Sequence, residues 1–400
     1  MLQVLYGPFK AWISRILLLR QRRIFAETVP SEYRRAVLVV AAKGAGADFP
    51  GFLNLVMHQD YPDYRMVLVT QSANDPAALA ARSFLNLAPD QHVWKSAREP
   101  GEEVREVEFI VAGLSENEGQ KVHNQRAALR RIRPDDRIVA FADADIVGSR
   151  DWLRQLFAPL NLGLAQVSSG YRWLVPKVAS AANWIATNLN SDIAMLAGPS
   201  WCTLLWGGSM AMTREAFDAL DVPAALRGSL NDDLQISRVA RERGLRMIFV
   251  RSLMAPSPVD YDWGGFFEFA RRQYFQVRVY VPWFWCLALF FTTLWLAGVS
   301  VTWWGALHGS RWSIVLIAVG FVGCLSTQLI REQYLRAIFP AGVREQIRGA
   351  RSIAWFTTTL NFAIHWVIVV GVMFMTGVTW AGIRYRVRAR QDVEVLSRNA

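Results

Sequence analysis

The stretch Arg137-Ile138-Val139-Ala140-Phe141-Ala142-Asp143-Ala144-Asp145-Ile146 decides the fold. Its apolar run does not alternate, the pattern of a parallel strand buried on both faces. The run ends on two aspartates two positions apart. A strand ending in Asp-x-Asp sets two hard oxygen ligands at the carboxyl edge of a sheet, where open α/β sheets bind ligands. Mg²⁺ and Mn²⁺ favour carboxylate oxygen and commonly share their shell with substrate phosphates. Asp143 and Asp145 are therefore candidate ligands of a metal and a diphosphate. Surface turns are also rich in Asp, so the pair needs support from the rest of the chain.

That support starts upstream. Arg35 to Ala42 reads as a buried strand, followed by the loop Lys43-Gly44-Ala45-Gly46. Arg65 to Thr70 is a second strand. Asp75 then caps a helix that carries Pro76 at its first position and runs to Leu87. Glu106 to Ala112 is a third strand and Lys121 to Arg131 a helix. Downstream, Ala179 to Met195 reads as a helix and Gly207 to Met212 as a strand. Asn231-Asp232-Asp233 opens a helix to Arg243, Met247 to Val250 is a short strand, and Asp262 to Val279 is helical. Strand and helix alternate, which predicts an α/β domain with a parallel-rich sheet covered on both faces.

The chain has 400 residues, a hydrophobic fraction of 52% and a formal net charge of +11. The apolar excess is concentrated in residues 279–382. Val281–Leu307 and Trp312–Ile330 are each long enough to cross a bilayer, which takes about 20 apolar residues. The Arg-rich loop Arg331–Arg351 is expected on the cytoplasmic side. Ser352–Ile383 carries no Asp, Glu, Lys or Arg. A single crossing there would put the basic segment Arg384–Arg390 outside, against the charge rule, whereas a re-entrant or interfacial stretch keeps it cytoplasmic. Arginine beside apolar segments suits anionic lipid, and no nucleic-acid module accompanies the charge. Cys202, Cys286 and Cys324 have no metal-type spacing, consistent with a reducing, cytosol-facing catalytic domain. Met1 to Leu19, with Pro8, Lys10 and Arg15, does not read as a signal peptide. It fits an amphipathic helix, either lying at the membrane surface or docked on the fold. The expected organisation is an N-terminal helix over 1–30, a catalytic domain over 31–278, membrane and interfacial helices over 279–390, and a tail over 391–400.

Several side chains can carry chemistry. Asp232 and Asp233 open a helix, where carboxylates serve as caps. With Asp143 and Asp145 in the same domain, the second pair is also a candidate general base. Arg271 and Arg272 suit a departing diphosphate through bidentate hydrogen bonds, or form a basic belt beside the membrane. Lys43 and Lys121 can hold phosphate or stand solvated. Asp75 can accept from a base ring or simply cap its helix. His123 and His365 read as structural.

Taken in order, Val39-Val40-Ala41-Ala42-Lys43-Gly44, His58-Gln59-Asp60-Tyr61-Pro62, Asn74-Asp75-Pro76-Ala77 and Lys121-Val122-His123-Asn124 form a recognisable series. Asp143-Ala144-Asp145, Asn231-Asp232-Asp233-Leu234 and the terminal Trp380-Ala381-Gly382-Ile383-Arg384-Tyr385-Arg386 continue it. Over residues 36–390 the chain resembles the family-2-like glycosyltransferases of the GT-A fold, and within them the ceramide glucosyltransferase-like group. The resemblance implies a UDP-sugar donor, Mg²⁺ or Mn²⁺ on Asp143 and Asp145, and Asp233 as the base, with Asp232 beside it in the second acidic motif. It also implies donor contacts by Lys43, Asp75, Lys121, Arg271 and Arg272. The implied reaction is inverting transfer of a hexose to a ceramide-like membrane lipid, in a multi-pass protein of the bacterial inner membrane with its catalytic domain in the cytosol. A hopanoid or other lipid acceptor, and a processive polysaccharide synthase of the same fold, are the alternatives; a non-catalytic membrane scaffold that kept the fold is the alternative from a different class. Two positions depart from the family pattern: Ser72 stands near its first aspartate, and Arg271-Arg272-Gln273-Tyr274 replaces its Gln/Arg-x-x-Arg-Trp.

Overall fold

The computed structural model describes residues 2–46, 48–88, 90–97, 103–196 and 202–398. The chain divides into two compact units. One comprises residues 22–172, 198–255 and 376–400; the other comprises residues 1–21, 173–197 and 256–375.

The first unit is built on a mixed eight-stranded sheet. Its strands are β1 (Ala36–Ala41), β2 (Tyr64–Thr70), β3 (Val93–Lys95), β4 (Glu106–Val111), β5 (Ile138–Asp143), β6 (Val167–Pro176), β7 (Ser209–Thr213) and β8 (Met247–Val259). They lie in the order β3-β4-β2-β1-β5-β7-β6-β8. β4, β2, β1 and β5 run parallel, as the apolar runs of β1, β2 and β5 predict. β3 and β7 pair antiparallel to their neighbours. Among the parallel strands the order reverses between β1 and β5, so the crevice beyond their carboxyl ends is the expected ligand position. Ala41 of β1 is in register with Asp143 of β5 there. Both faces of the sheet are packed. Leu38, Val40, Met66 and Leu68 belong to one apolar cluster, and Val37, Val39, Val67 and Val69 to the other. At the opposite, amino end, the fully buried Arg65 is matched by Asp136, its Nη2 2.6 Å from Oδ2.

Three further strands, β9 (Gly377–Trp380), β10 (Ile383–Ala389) and β11 (Asp392–Arg398), form an antiparallel sheet in the same unit. This corrects the expectation of helices up to residue 390 followed by a tail, the last two residues of which lie outside the described residues. From Ile383 to Arg388, buried Ile383, Tyr385 and Val387 alternate with exposed arginines. That is the period-two pattern of a strand with one face solvated.

The second unit is helical. The helices Pro282–Leu307 and Arg311–Ile338 are each long and apolar enough to cross a membrane. At about 1.5 Å per residue, either exceeds a hydrocarbon core of about 30 Å. The third apolar stretch is not one straight helix. Arg348–Ala354 and Thr358–Gly371 meet at a bend of 98°, and helix gives way to strand after Gly371. The N-terminal helix, Leu2–Glu27, is longer than its apolar run. It is tied into this unit by Lys10, whose ammonium donates to the Asp192 carbonyl at 3.3 Å, while Arg331 holds the Asp192 carboxylate at 2.5 Å. Ala11, Ser14 and Leu18 are buried, whereas Tyr6, Phe9, Trp12, Ile16 and Leu19 form an exposed apolar stripe at helical spacing.

Candidate active site

The carboxyl ends of β1 and β5 carry the residues singled out by the sequence. Asp143 is the last residue of β5. The helix Gln120–Leu129 places Lys121 so that its Nζ lies 2.7 Å from Asp143 Oδ1 and 3.1 Å from Asp232 Oδ2. Gln125, one turn further along, donates to the same Asp232 oxygen at 2.6 Å. Asp232 is buried. Burial raises its pKa, but the Lys121 ammonium and the Gln125 amide outweigh burial and hold it below the usual carboxylate range.

Asp233 is placed differently. It begins the helix Asp233–Glu242, and its Oδ2 accepts from the Gly207 backbone N–H at 2.7 Å. Burial, then the charge of Asp232, pushes its pKa up to about 6, against the pull of Lys121 and the Gly207 N–H. Adjacent acids are thus driven in opposite directions: Asp232 is a locked anion and Asp233 a carboxylate poised to take a proton near neutral pH. Neither capping alone nor duplication accounts for the pair. The Asp232 side chain makes no cap hydrogen bond, while Asn231 Oδ1 accepts from Leu234 N at 2.8 Å.

The glycines Gly207 and Gly208 make this convergence possible. A Cβ on Gly207 would stand 2.7 Å from Asp232 Oδ2 and 2.8 Å from Lys121 Nζ; on Gly208 it would stand 2.9 Å from Asp143 Oδ2. The strand expected from Gly207 accordingly begins only at Ser209. Trp206 and Tyr171 close in beside the glycines, edge to face at 6.2 Å between ring centres.

Asp145 lies two residues beyond β5. Burial and then the charge of Asp143 raise its pKa, opposed by Arg172 and Lys121. Four carboxylates therefore gather around Lys121 and Arg172. A nucleoside diphosphate would add further negative charge, so its binding calls for another cation. Two carboxylates two positions apart at a sheet edge fit a hard divalent ion, and Asp143 and Asp145 fit as its ligands. Among the described residues no group of three or more His, Cys, Asp or Glu is arranged as a metal cage. A site made of two carboxylates leaves the remaining positions to substrate and water.

At the end of β1, Lys43 Nζ donates to the Ala381 carbonyl at 2.7 Å. Asp75 Oδ1 accepts from both Ala77 N, at 2.9 Å, and Gly44 N, at 2.8 Å. Asp75 is thus a helix cap, and it also fixes the Lys43-Gly44 loop. His123 is structural as expected, bonded to Glu118 and to the Ala112 carbonyl. Arg271 and Arg272 lie on the helix Trp263–Tyr280 of the other unit, where the Arg272 guanidinium covers the Phe269 ring at 5.5 Å. A diphosphate role for these two arginines rests on the sequence resemblance alone. Gln125, Gly207, Gly208, Trp206 and Tyr171 were not legible as site residues. The Gly-Gly pair just before a strand was the one usable signal.

A comparison with curated proteins finds no match. Among solved structures, a mannosyltransferase from Pyrobaculum calidifontis in complex with GDP-Man and Mn²⁺ is 15% identical, with 93% of this chain and 97% of that one covered and a TM-score of 0.46. TarS 1–349 of S. aureus is 11% identical, covering 91% of this chain and 100% of that one, with a TM-score of 0.37. A mycobacterial protein is 13% identical over 64% of this chain and 75% of that one, at a TM-score of 0.33. At these identities and scores the assignment rests on sequence. The model of the glycosyltransferase like family 2 matches residues 35–275, which carry β1 to β8, both acidic pairs and Lys121. The chain belongs to that family, and it is a glycosyltransferase with a GT-A catalytic unit followed by apolar helices.

Proposed function

We propose that the protein transfers a hexose from a UDP-sugar to the hydroxyl of a membrane lipid of the ceramide type, with inversion at the anomeric carbon. The observation that carries this reading is the split between the two neighbouring acids: Lys121 pairs with Asp232, whereas Asp233 accepts from the Gly207 and Leu234 backbone N–H groups and its pKa is pushed up to about 6. Asp233 takes the proton of the acceptor hydroxyl. The acceptor oxygen forms its bond to the anomeric carbon as the bond from that carbon to the diphosphate oxygen breaks, and UDP leaves. One base is enough for one displacement.

The rest of the donor site divides the work. Lys43 offers an ammonium held by a neutral carbonyl, so its charge stays available for phosphate. Asp75 keeps the Lys43-Gly44 loop in place. Lys121 fixes Asp143 and Asp232, and Tyr171 and Trp206 exclude water from one side. Asp143 and Asp145 would hold Mg²⁺ or Mn²⁺, which when bound neutralises the diphosphate. The lipid acceptor is supported by the two apolar helices and the exposed stripe Tyr6, Phe9, Trp12, Ile16 and Leu19, features that suit a bilayer surface. The Arg-rich segment after the second apolar helix supports a cytosolic catalytic unit.

The test is incubation of the purified protein with a panel of nucleotide sugars and membrane lipids, with mass spectrometry of the lipid fraction. One hexose added to a lipid is expected, and Asp233→Asn is expected to lose transfer by at least about a hundredfold while still binding UDP. A polymeric product, or normal turnover by Asp233→Asn, overturns the reading.

A further inference from the structure

The chain leaves its last helix and returns to the catalytic unit as the small sheet β9 to β11. This sheet is anchored closely. Gln391 Nε2 donates to the carbonyls of Ala224, Ala225 and Arg227 at 2.9, 3.1 and 3.0 Å. Val395 N donates to the Glu116 carbonyl at 3.1 Å. A Cβ on Gly228 would come within 2.4 Å of the Gln391 carbonyl oxygen.

Two further contacts reach the lysines of the donor site. Tyr385 Oη accepts from the backbone N–H of Gln120 at 3.1 Å, and Gln120 immediately precedes Lys121 at the start of its helix. Arg398 reinforces that point, donating to Gln120 Oε1 at 3.1 Å and to the Ser115 carbonyl. The Ala381 carbonyl accepts from Lys43. It does so from a two-residue turn in which Ala381 has φ +50° and Gly382 φ +75°. A non-glycine residue in the left-handed region is disfavoured, and such positions persist where the surroundings hold them. Arg398 brings a positive charge near Lys43, whereas the Ala381 carbonyl and the Tyr385 hydroxyl are neutral. They orient Lys43 and the start of the Lys121 helix without neutralising either ammonium.

We propose that the C-terminal sheet is the nucleotide-side wall of the donor site, with Tyr385 and Arg398 positioning Lys121 and the Ala381 turn positioning Lys43 toward the diphosphate of a nucleoside diphosphate. The inference rests on the donor-site reading above and extends it to a segment outside the matched family region, residues 35–275.

The experiment measures UDP and UMP affinity by calorimetry on the full-length protein in detergent, with wild type, Tyr385→Phe, Arg398→Gln and, as control, Arg386→Gln. Arg386 is exposed on the same strand and pairs with Glu394. The expected result is a loss of about fivefold in UDP affinity for each of the first two variants, a smaller loss for UMP, a raised donor KM at little-changed kcat, and no change in Arg386→Gln. A merely structural sheet would lower thermal stability without narrowing the difference between UDP and UMP. Unchanged UDP affinity in folded Arg398→Gln or Tyr385→Phe overturns the inference while leaving the donor-site reading intact. A wild type that binds no nucleoside diphosphate overturns that reading, and this inference with it.

Discussion

Replacing Lys121 with methionine keeps the length of the side chain and removes its charge. Lys121 Nζ lies 2.7 Å from Asp143 and 3.1 Å from Asp232, and the Asp232 side chain is 1% exposed. In Lys121→Met, Asp232 loses its ammonium partner and keeps the Gln125 amide. Leaving one member of a buried pair unmatched costs about 3–5 kcal/mol. Asp143 is more exposed and adds little. At about 2–4 °C per kcal/mol for a unit of this size, the expected fall in Tm is about 6–20 °C. The sign with pH is fixed by the same groups. In wild type the lowered pKa of Asp232 stabilises the fold above the unfolded carboxylate range and is lost as pH falls below it. In Lys121→Met, burial acts against the Gln125 amide and the backbone without the ammonium, so the folded pKa rises above the unfolded one and protonation relieves the penalty. The gap between the two proteins is therefore widest at neutral pH and closes toward pH 4. Differential scanning fluorimetry at a series of pH values measures it, and Lys121→Met/Asp232→Asn should recover most of the loss. A single variant as stable as wild type at pH 7.5, or a double variant no better than the single, would show that Lys121 does not balance Asp232.

Two other outcomes follow from the same charges. The kcat/KM profile should fall on the acid side through about pH 6, tenfold per unit below it, because Asp233 acts deprotonated and its pKa is raised to about 6; Asp232→Asn removes the neighbouring charge and should move this limb to lower pH, and an acid limb near 4 in wild type would exclude Asp233 as the titrating base. Excess chelator should abolish transfer and Mn²⁺ or Mg²⁺ should restore it, while Asp143→Asn/Asp145→Asn should respond to neither; full activity in chelator would remove the metal from Asp143 and Asp145.

The catalytic sheet was legible because parallel strands buried on both faces are written as unbroken apolar runs, and β1, β2 and β5 fall within two residues of where those runs lie. The edge strand β3 was not, since three residues with exposed flanks carry no pattern. The final sheet was misread for a physical reason. Residues 352–383 contain no Asp, Glu, Lys or Arg, and composition alone extends the membrane segment to Ile383. The contrary signal was the alternation from Ile383 to Arg388, preceded by the Ala381-Gly382 turn. Arginines there looked like the cationic flank of a span, when they are the solvated face of a strand. In the site, Asp143 and Asp145 followed from one strand end. The distinction between Asp232 and Asp233 did not, because it depends on a lysine more than a hundred residues away.

That distinction bears on the course of the reaction. A double displacement at a sugar needs a nucleophile to form the glycosyl intermediate and a second group to activate the acceptor. Asp232 would be the nearest second carboxylate, yet it is buried, bonded to Lys121 and Gln125, and held ionised as their partner. Freeing it for attack would unmatch Lys121 and forfeit the same few kcal/mol that Lys121→Met removes. Asp143 is likewise engaged by Lys121, and Asp145 is proposed with it as a metal ligand. Asp233 alone combines partial exposure, a backbone donor that orients one oxygen, and a pKa near the working range. Under the proposed reaction, a site with four carboxylates and one available base favours a single displacement, and the feature that supports it is Lys121, whose charge engages two of the four.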